Sequence, residues 1–346
     1  MNGIKALRTI GASFATALAL CALACLLPDN PYHRWQLVDS PDVDGGIFVN
    51  LRWVYERMHF DERPIDVAVV GPSGTLMGVS PDRIEQRLAA RGITAHVANF
   101  SAVAAGRNLQ WAIVDELLKT KSPKVIVVGV SAHPFFYGHP AFKYVAPAGA
   151  IIAPPAPLLH NYFYDLAYLP ARQVKLFAAR FFPDLFGLRD KFDPAIYANS
   201  KTDFTVGADL FEGKVIDMEQ VVPPEKLLAE RQPDPRQTFA DRLVRWCCND
   251  GDDAVYIRAI AEEAKAHGVK LIFLFLPIYK GPVEVDDRDF LSRYGTFLDN
   301  GFFAEDSKLF VNWSHLNRAG AMIDSDKIAD AIAGLKMSSL EQAGPN

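Results

Sequence analysis

The feature that most restricts the fold of this chain is a set of short, almost wholly apolar runs separated by amphipathic helical segments. Lys124–Val130 (Lys-Val-Ile-Val-Val-Gly-Val) has no polar residue after its first. Such a strand has no face to offer to water, so both of its faces must be covered. Ile65–Val70 and Val269–Leu276 have the same character, each with one charged residue near its start. Between the first two runs, Ser80-Pro81-Asp82 opens a helix with an N-cap serine and a first-turn proline. Ile84 and Leu88 share its inner face and Gly92 stops it. A strand over Thr94–Phe100 follows. The next helix, Asn108–Lys119, carries Leu109, Ile113 and Leu117 at helical spacing. Strand, helix, strand, helix, strand in this rhythm predicts a parallel sheet with helices on both faces, an α/β three-layer fold of flavodoxin-like type. The rhythm resumes with a helix over Asp253–His267, the strand Val269–Leu276, a last strand at Lys308–Val311, and a final helix capped by Ser325.

The remainder divides the chain. Lys5 and Arg8 precede an uncharged Ala/Leu-rich run, Thr9–Leu27, and acidic residues follow it. Its length approaches the roughly 20 residues that cross a bilayer. The charge asymmetry predicts an N-terminus held inside and an exported body. Residues 1–28 are therefore read as a membrane anchor or signal, with the anchor preferred, although Ala22-Leu23-Ala24 fits a cleavage pattern. This predicts a single-pass inner-membrane protein with its body on the periplasmic side. Residues 29–60 read as a linker and lead-in, with a short helix over Leu51–Met58, and 61–336 as the α/β domain. About 131–250 is a Pro- and aromatic-rich insertion, whose aromatics are expected mainly to build its own small core, the alternatives being a lid or binding wall at the strand ends or a surface that docks on the membrane or a partner. Residues 337–346 read as a disordered tail.

Several function classes are disfavoured by composition. The net charge is -5, with 36 basic and 41 acidic residues, and no clustered basic stretch suggests a nucleic-acid partner. Four cysteines, Cys21, Cys25, Cys247 and Cys248, give neither a disulfide framework nor a CxxC metal spacing. His133 and His139 are each followed by proline and read as loop residues. Neither a metal nor a cofactor is expected.

Chemistry concentrates at two places. The first strand ends abruptly in Gly71-Pro72-Ser73-Gly74, a tight turn of small residues that presents a hydroxyl at the carboxyl edge of the sheet. A serine hydroxyl needs a base to become nucleophilic, and histidine is the usual one. His315 follows the last strand, so its loop opens on the same edge as Ser73.

The two segments, Val69–Thr75 and Asn312–Gly320, together resemble the SGNH (GDSL-type) hydrolase superfamily. Gly71-Pro72-Ser73 matches its nucleophile turn. Asn312-Trp313-Ser314-His315-Leu316-Asn317 matches its Asp-x-x-His block, with Asn312 standing where the family has an acid. Gly106 matches the glycine whose backbone N–H, with that of Ser73, binds the oxyanion. The family's third-block Asn has no counterpart in Gly129-Val130-Ser131-Ala132-His133, where Ser131 or His133 are the candidate substitutes. The resemblance implies an extracytoplasmic Ser–His esterase or O-acyltransferase acting on an acylated cell-surface or secreted glycan, and a membrane acyltransferase as partner. Asn can orient an imidazole but carries no charge. The alternative is therefore an SGNH-fold accessory protein, weak or inactive in catalysis, that binds glycan or the membrane partner.

Overall fold

The apolar runs pair as the sequence predicts, and their order fixes where a ligand can sit. The structure is a computed structural model that describes residues 2–39, 50–104, 106–133, 137–155, 161–197, 203–211, 214–231 and 252–341. The chain begins with α1 (Asn2–Cys25), α2 (Pro31–Gln36) and α3 (Leu51–His59). Next come β1 (Val67–Val70), α4 (Ser73–Gly78), α5 (Pro81–Ala89), β2 (Val97–Asn99), α6 (Arg107–Thr120) and β3 (Val125–Val130). The insertion holds α7 (Phe142–Val145), α8 (Ala148–Ile152), α9 (Tyr162–Phe181), the ribbon β4 (Ala208–Phe211) and β5 (Lys214–Ile216), and α10 (Pro224–Glu230). The last part has α11 (Asp252–Ala266), β6 (Lys270–Phe275), α12 (Arg288–Leu291), β7 (Thr296–Asp299), β8 (Phe310–Asn312), β9 (His315–Leu316) and α13 (Arg318–Glu341).

Five strands form one parallel sheet in the order β2-β1-β3-β6-β7. Strand alternation sends Val67, Val69, Val125 and Val127 to one face, where they pack on Ile84 and Leu88 of α5 and Ile328 and Ile332 of α13. Ala68, Val70, Ile126 and Val128 point to the other face, against Trp53 of α3, Ile113 of α6 and Ile257 of α11. The strand order reverses direction between β1 and β3. In open α/β sheets the carboxyl-end crevice at that reversal is where ligands bind, and Ser73 is the first residue of the helix that leaves β1.

Four expectations need correction. Residues 29–60 are not a linker as far as they are described. Trp35, Val38, Leu51, Val54 and Met58 are buried in the main core. Their helices look too polar for that because Glu56, fully buried, is matched in space by Arg52, Gln36 and Tyr197. The Lys308–Val311 segment does not add to the sheet. Phe310–Asn312 pairs antiparallel with His315–Leu316 as a separate hairpin, and the fifth strand is β7, a four-residue edge strand that is only half-covered. Ser325 does not cap the last helix. Asn317 does, accepting from the Gly320 N–H at 3.1 Å. Ser325, buried within α13, accepts from the Ser80 N–H at 2.9 Å and so ties α13 to the start of α5. The helix continues to Glu341 instead of ending near Lys336.

The insertion also does more than build its own core. Phe204 and Met218 pack on Leu76 and Met77 of α4 and on Val311 of the hairpin, and Tyr197 joins the main core. Cys247 and Cys248 lie outside the described residues.

Among the helices, α1 holds an 18-residue window, Arg8–Cys25, with mean hydropathy 1.5 and none of it buried. By length and composition it suits a membrane span or a signal segment.

Candidate active site

The nucleophile candidate is placed by steric need. Pro72, extended at φ -77° and ψ -177°, is the N-cap of α4, and Ser73 is its first residue. The Thr75 side chain fills the space beneath this turn. A Cβ on Gly71 or on Gly129, at the end of neighbouring β3, would collide with Thr75 Oγ1. Those two glycines let the turn settle on β3. Asn99, the last residue of β2, then holds α4 from below. Its Nδ2 donates to the carbonyls of Thr75, Leu76 and Val79 at 3.2, 3.3 and 3.1 Å. The acceptors left open at the end of a short helix are thus satisfied by one buried amide. Ser73 itself remains half-buried and within reach of solvent. As first-turn groups, its N–H and that of Gly74 have no intrahelical acceptor.

The base candidate comes from the opposite end of the chain. The β8–β9 register pairs Asn312 directly with His315, which sets their side chains together. The Ser314 N–H donates to Asn312 Oδ1 at 3.0 Å, and the Ser314 hydroxyl to the same atom at 3.1 Å. These donors fix which end of the Asn312 amide is oxygen. That oxygen faces His315 Nδ1 at 2.9 Å, so Nδ1 carries the proton and Nε2 is left as a lone pair. Nε2 lies 2.8 Å from Ser73 Oγ and accepts its hydroxyl proton. Ser73, His315 and Asn312 therefore form one continuous relay, with Ser314 as an additional brace.

The relay lacks a charge. Burial pushes His315 down from an ordinary 6.5 to about 4, with no carboxylate among the described residues opposing it. At neutral pH the imidazole is unprotonated and able to accept a proton. The imidazolium formed by that transfer has no counter-ion among the described residues.

Gly106 lies on the loop after β2, on the same sheet edge. That loop runs beside the nucleophile turn, the Ala102 N–H donating to the Gly71 carbonyl at 3.0 Å. Gly106 has φ +146°, which side-chain-bearing residues rarely adopt, and a Cβ there would strike the His139 backbone. His139 is buried and neutral. Its Nε2–H donates to the Val103 carbonyl at 2.5 Å, its Nδ1 accepts from the Ala141 N–H at 3.0 Å, and its own N–H donates to Asn108 Oδ1 at 2.8 Å. His139 thus clamps the Gly106 loop. The two candidate substitutes for the missing Asn differ. His133 is turned away to Asp286, Nδ1 to Oδ2 2.7 Å, whereas Ser131 is half-buried directly after β3.

Burial depresses His139 to about 4. An unfolded chain protonates this ring below about 6.5, and the folded one does not until about 4. Stability is therefore full above that range and falls as pH drops through it, by about 3 kcal/mol from His139 alone. Urea unfolding at pH 7 and pH 4.5 measures this. The slope is expected to shrink in His139→Gln, with the remaining part carrying the same sign from His315.

The sequence alone does not single out Asn99, Thr75 or Ser314, and it gives His139 only as a loop residue. A legible signal exists for Asn99 alone, a polar residue at the end of an otherwise apolar strand. No protein-family model matches the chain, and no curated protein matches it in sequence.

Proposed function

We propose that this chain is a membrane-anchored, extracytoplasmic serine esterase or O-acyltransferase of the SGNH (GDSL-type) kind. The observation that carries the reading is the Ser73–His315–Asn312 relay, closed at 2.8 and 2.9 Å by residues from the two ends of the chain. Ser73 Oγ gives its proton to His315 Nε2 and attacks an acyl carbonyl carbon. The Ser73 and Gly106 N–H groups hold the resulting oxyanion. His315 returns the proton to the departing alcohol and leaves an acyl-serine. Water or an acceptor hydroxyl, activated by the same imidazole, then takes the acyl group. By the resemblance the substrate is an acylated cell-surface or secreted glycan, and a membrane acyltransferase is the partner. Transfer to periplasm follows from α1 spanning the inner membrane with basic residues inside.

A fluorophosphonate probe tests the chemistry, because it traps an activated serine and leaves ordinary hydroxyls untouched. Wild-type protein is expected to be labelled on Ser73, and Ser73→Ala to remain unlabelled. Wild type that neither labels nor turns over an activated ester sinks the enzymatic reading. One specific observation favours the rival in that case. Asn312 gives His315 orientation without charge, as suits a protein that keeps the crevice for binding glycan or a membrane partner.

A further inference from the structure

Helix α9 is inverted relative to an ordinary surface helix. Its buried side carries Asp165, Arg172 and Gln173 with Leu169, Leu176 and Ala179. Its exposed side is an uninterrupted apolar stripe: Phe163, Ala167, Ala171, Val174, Phe177 and Phe181, at steps of three and four residues. Phe163 is 71% exposed, Phe177 40% and Phe181 60%. Leaving that stripe in water while burying the polar side is unfavourable, so the stripe faces something that is not water.

The structure indicates what that is. The apolar window of α1 ends at Cys25, and α1 packs on α9. Two residues beyond the window, the Leu27 carbonyl accepts from Gln173 Nε2 at 3.0 Å. Asp29 then lies 3.9 Å from Arg172 Nη2, pairs with Arg34, and accepts from the Ala148 N–H at 3.1 Å. Arg172 and Gln173 sit at the middle of α9. The point where the chain leaves the span is therefore fastened to the centre of a helix about 30 Å long. The polar side of α9 is used for that fastening, and its apolar side is left exposed beside the residues that follow α1.

We propose that α9 lies in the bilayer interface beside the exit of α1, with its Phe163–Val174–Phe177–Phe181 stripe immersed at the boundary of headgroups and acyl chains. Helices with one apolar and one polar side rest in that plane. The body is then held to the membrane along a line instead of swinging from a single tether. This placement rests on α1 spanning the bilayer, and the experiment separates the two claims.

The full chain is reconstituted in phosphatidylcholine–phosphatidylglycerol vesicles containing a lipid with a diazirine in its upper acyl chain. Alkaline carbonate is applied first. Retention of the chain shows that α1 spans; release overturns the span and this placement with it. Photolysis is then expected to attach lipid to residues 163–181 as well as to α1. Hydroxyl-radical footprinting of the same vesicles is expected to oxidise Phe163, Phe177 and Phe181 at least 5-fold more slowly than Phe302. Phe302 is 50% exposed and lies elsewhere on the body, so it serves as the internal reference. A retained chain with lipid adducts confined to α1, or with oxidation of the stripe equal to that of Phe302, overturns the proposal. Protection that arises only when other membrane proteins are added also overturns it, since it assigns the stripe to a protein partner.

Discussion

Replacing Asn312 by Asp is expected to raise ester turnover on the order of 10²-fold and to shift the acid limb of kcat/KM upward from about pH 4. The amide oxygen of Asn312 already accepts from the Ser314 N–H, the Ser314 hydroxyl and His315 Nδ1. A carboxylate oxygen accepts the same three, so the hairpin and the tautomer are preserved. What changes is charge. An opposite charge at hydrogen-bond distance raises an imidazole by about 1–3 units and stabilises the imidazolium of the transition state. In a serine protease, exchanging the acid for Asn costs about 10⁴, largely through the wrong tautomer. Here the tautomer is already right, so the gain is smaller. For native protein, kcat/KM requires neutral His315. It rises with pH through about 4, where burial places that group, and is flat through neutrality. In Asn312→Asp the rise moves toward pH 6. A pH profile on an activated ester, native against variant, measures both effects. A variant that folds but gains neither turnover nor a shifted limb removes His315 from the base role.

Ser73→Ala, His315→Ala and the double variant are expected to show the same residual turnover. Groups that act as one relay are grossly non-additive: losing either loses the step. Size follows from the missing charge. Removing serine or histidine from a complete triad costs about 2 × 10⁶, and removing the acid alone about 3 × 10⁴. That acid loss includes the lost orientation of the imidazole; this relay keeps the orientation and lacks only a charge worth about 10², so it has on the order of 10⁴ left to lose. In the Asn312→Asp background the same Ser73→Ala change is expected to cost about 10⁶. Single-turnover kinetics of all four proteins in both backgrounds checks the pattern. Additive losses in the double variant would show that the 2.8 Å contact between Ser73 and His315 is not used.

Burial on both sides is easy to read, and partial burial is not. β1, β3 and β6 announce themselves because strands covered on both faces have no polar positions to confuse the pattern. β7 (Thr296–Asp299) is not legible in the sequence because it is short and half-exposed, which leaves it indistinguishable from loop. α3 is legible as a short helix, but its burial is hidden for a different reason. Arg52, Glu56 and Arg57 look like a solvated surface, yet all are buried and become acceptable inside only through partners up to 141 positions away. In the site, Ser73 is legible from turn chemistry, and Asn312 and His315 through the resemblance of their segment to the SGNH (GDSL-type) block. Asn99 and His139 are not, since each acts by satisfying backbone groups whose exposure depends on the completed fold. The aromatic content of α9 is plain in the sequence, but its orientation is not. Periodicity reports two faces and says nothing about which one meets water, and here the more polar one is inside.

The side chains of Ser73 and His315 are separated by 242 positions. In a chain made amino end first, the hydroxyl emerges long before the imidazole. The pair can therefore exist only after β8 and β9 have paired and docked on α4, so any shorter fragment of the fold carries the serine without its partner.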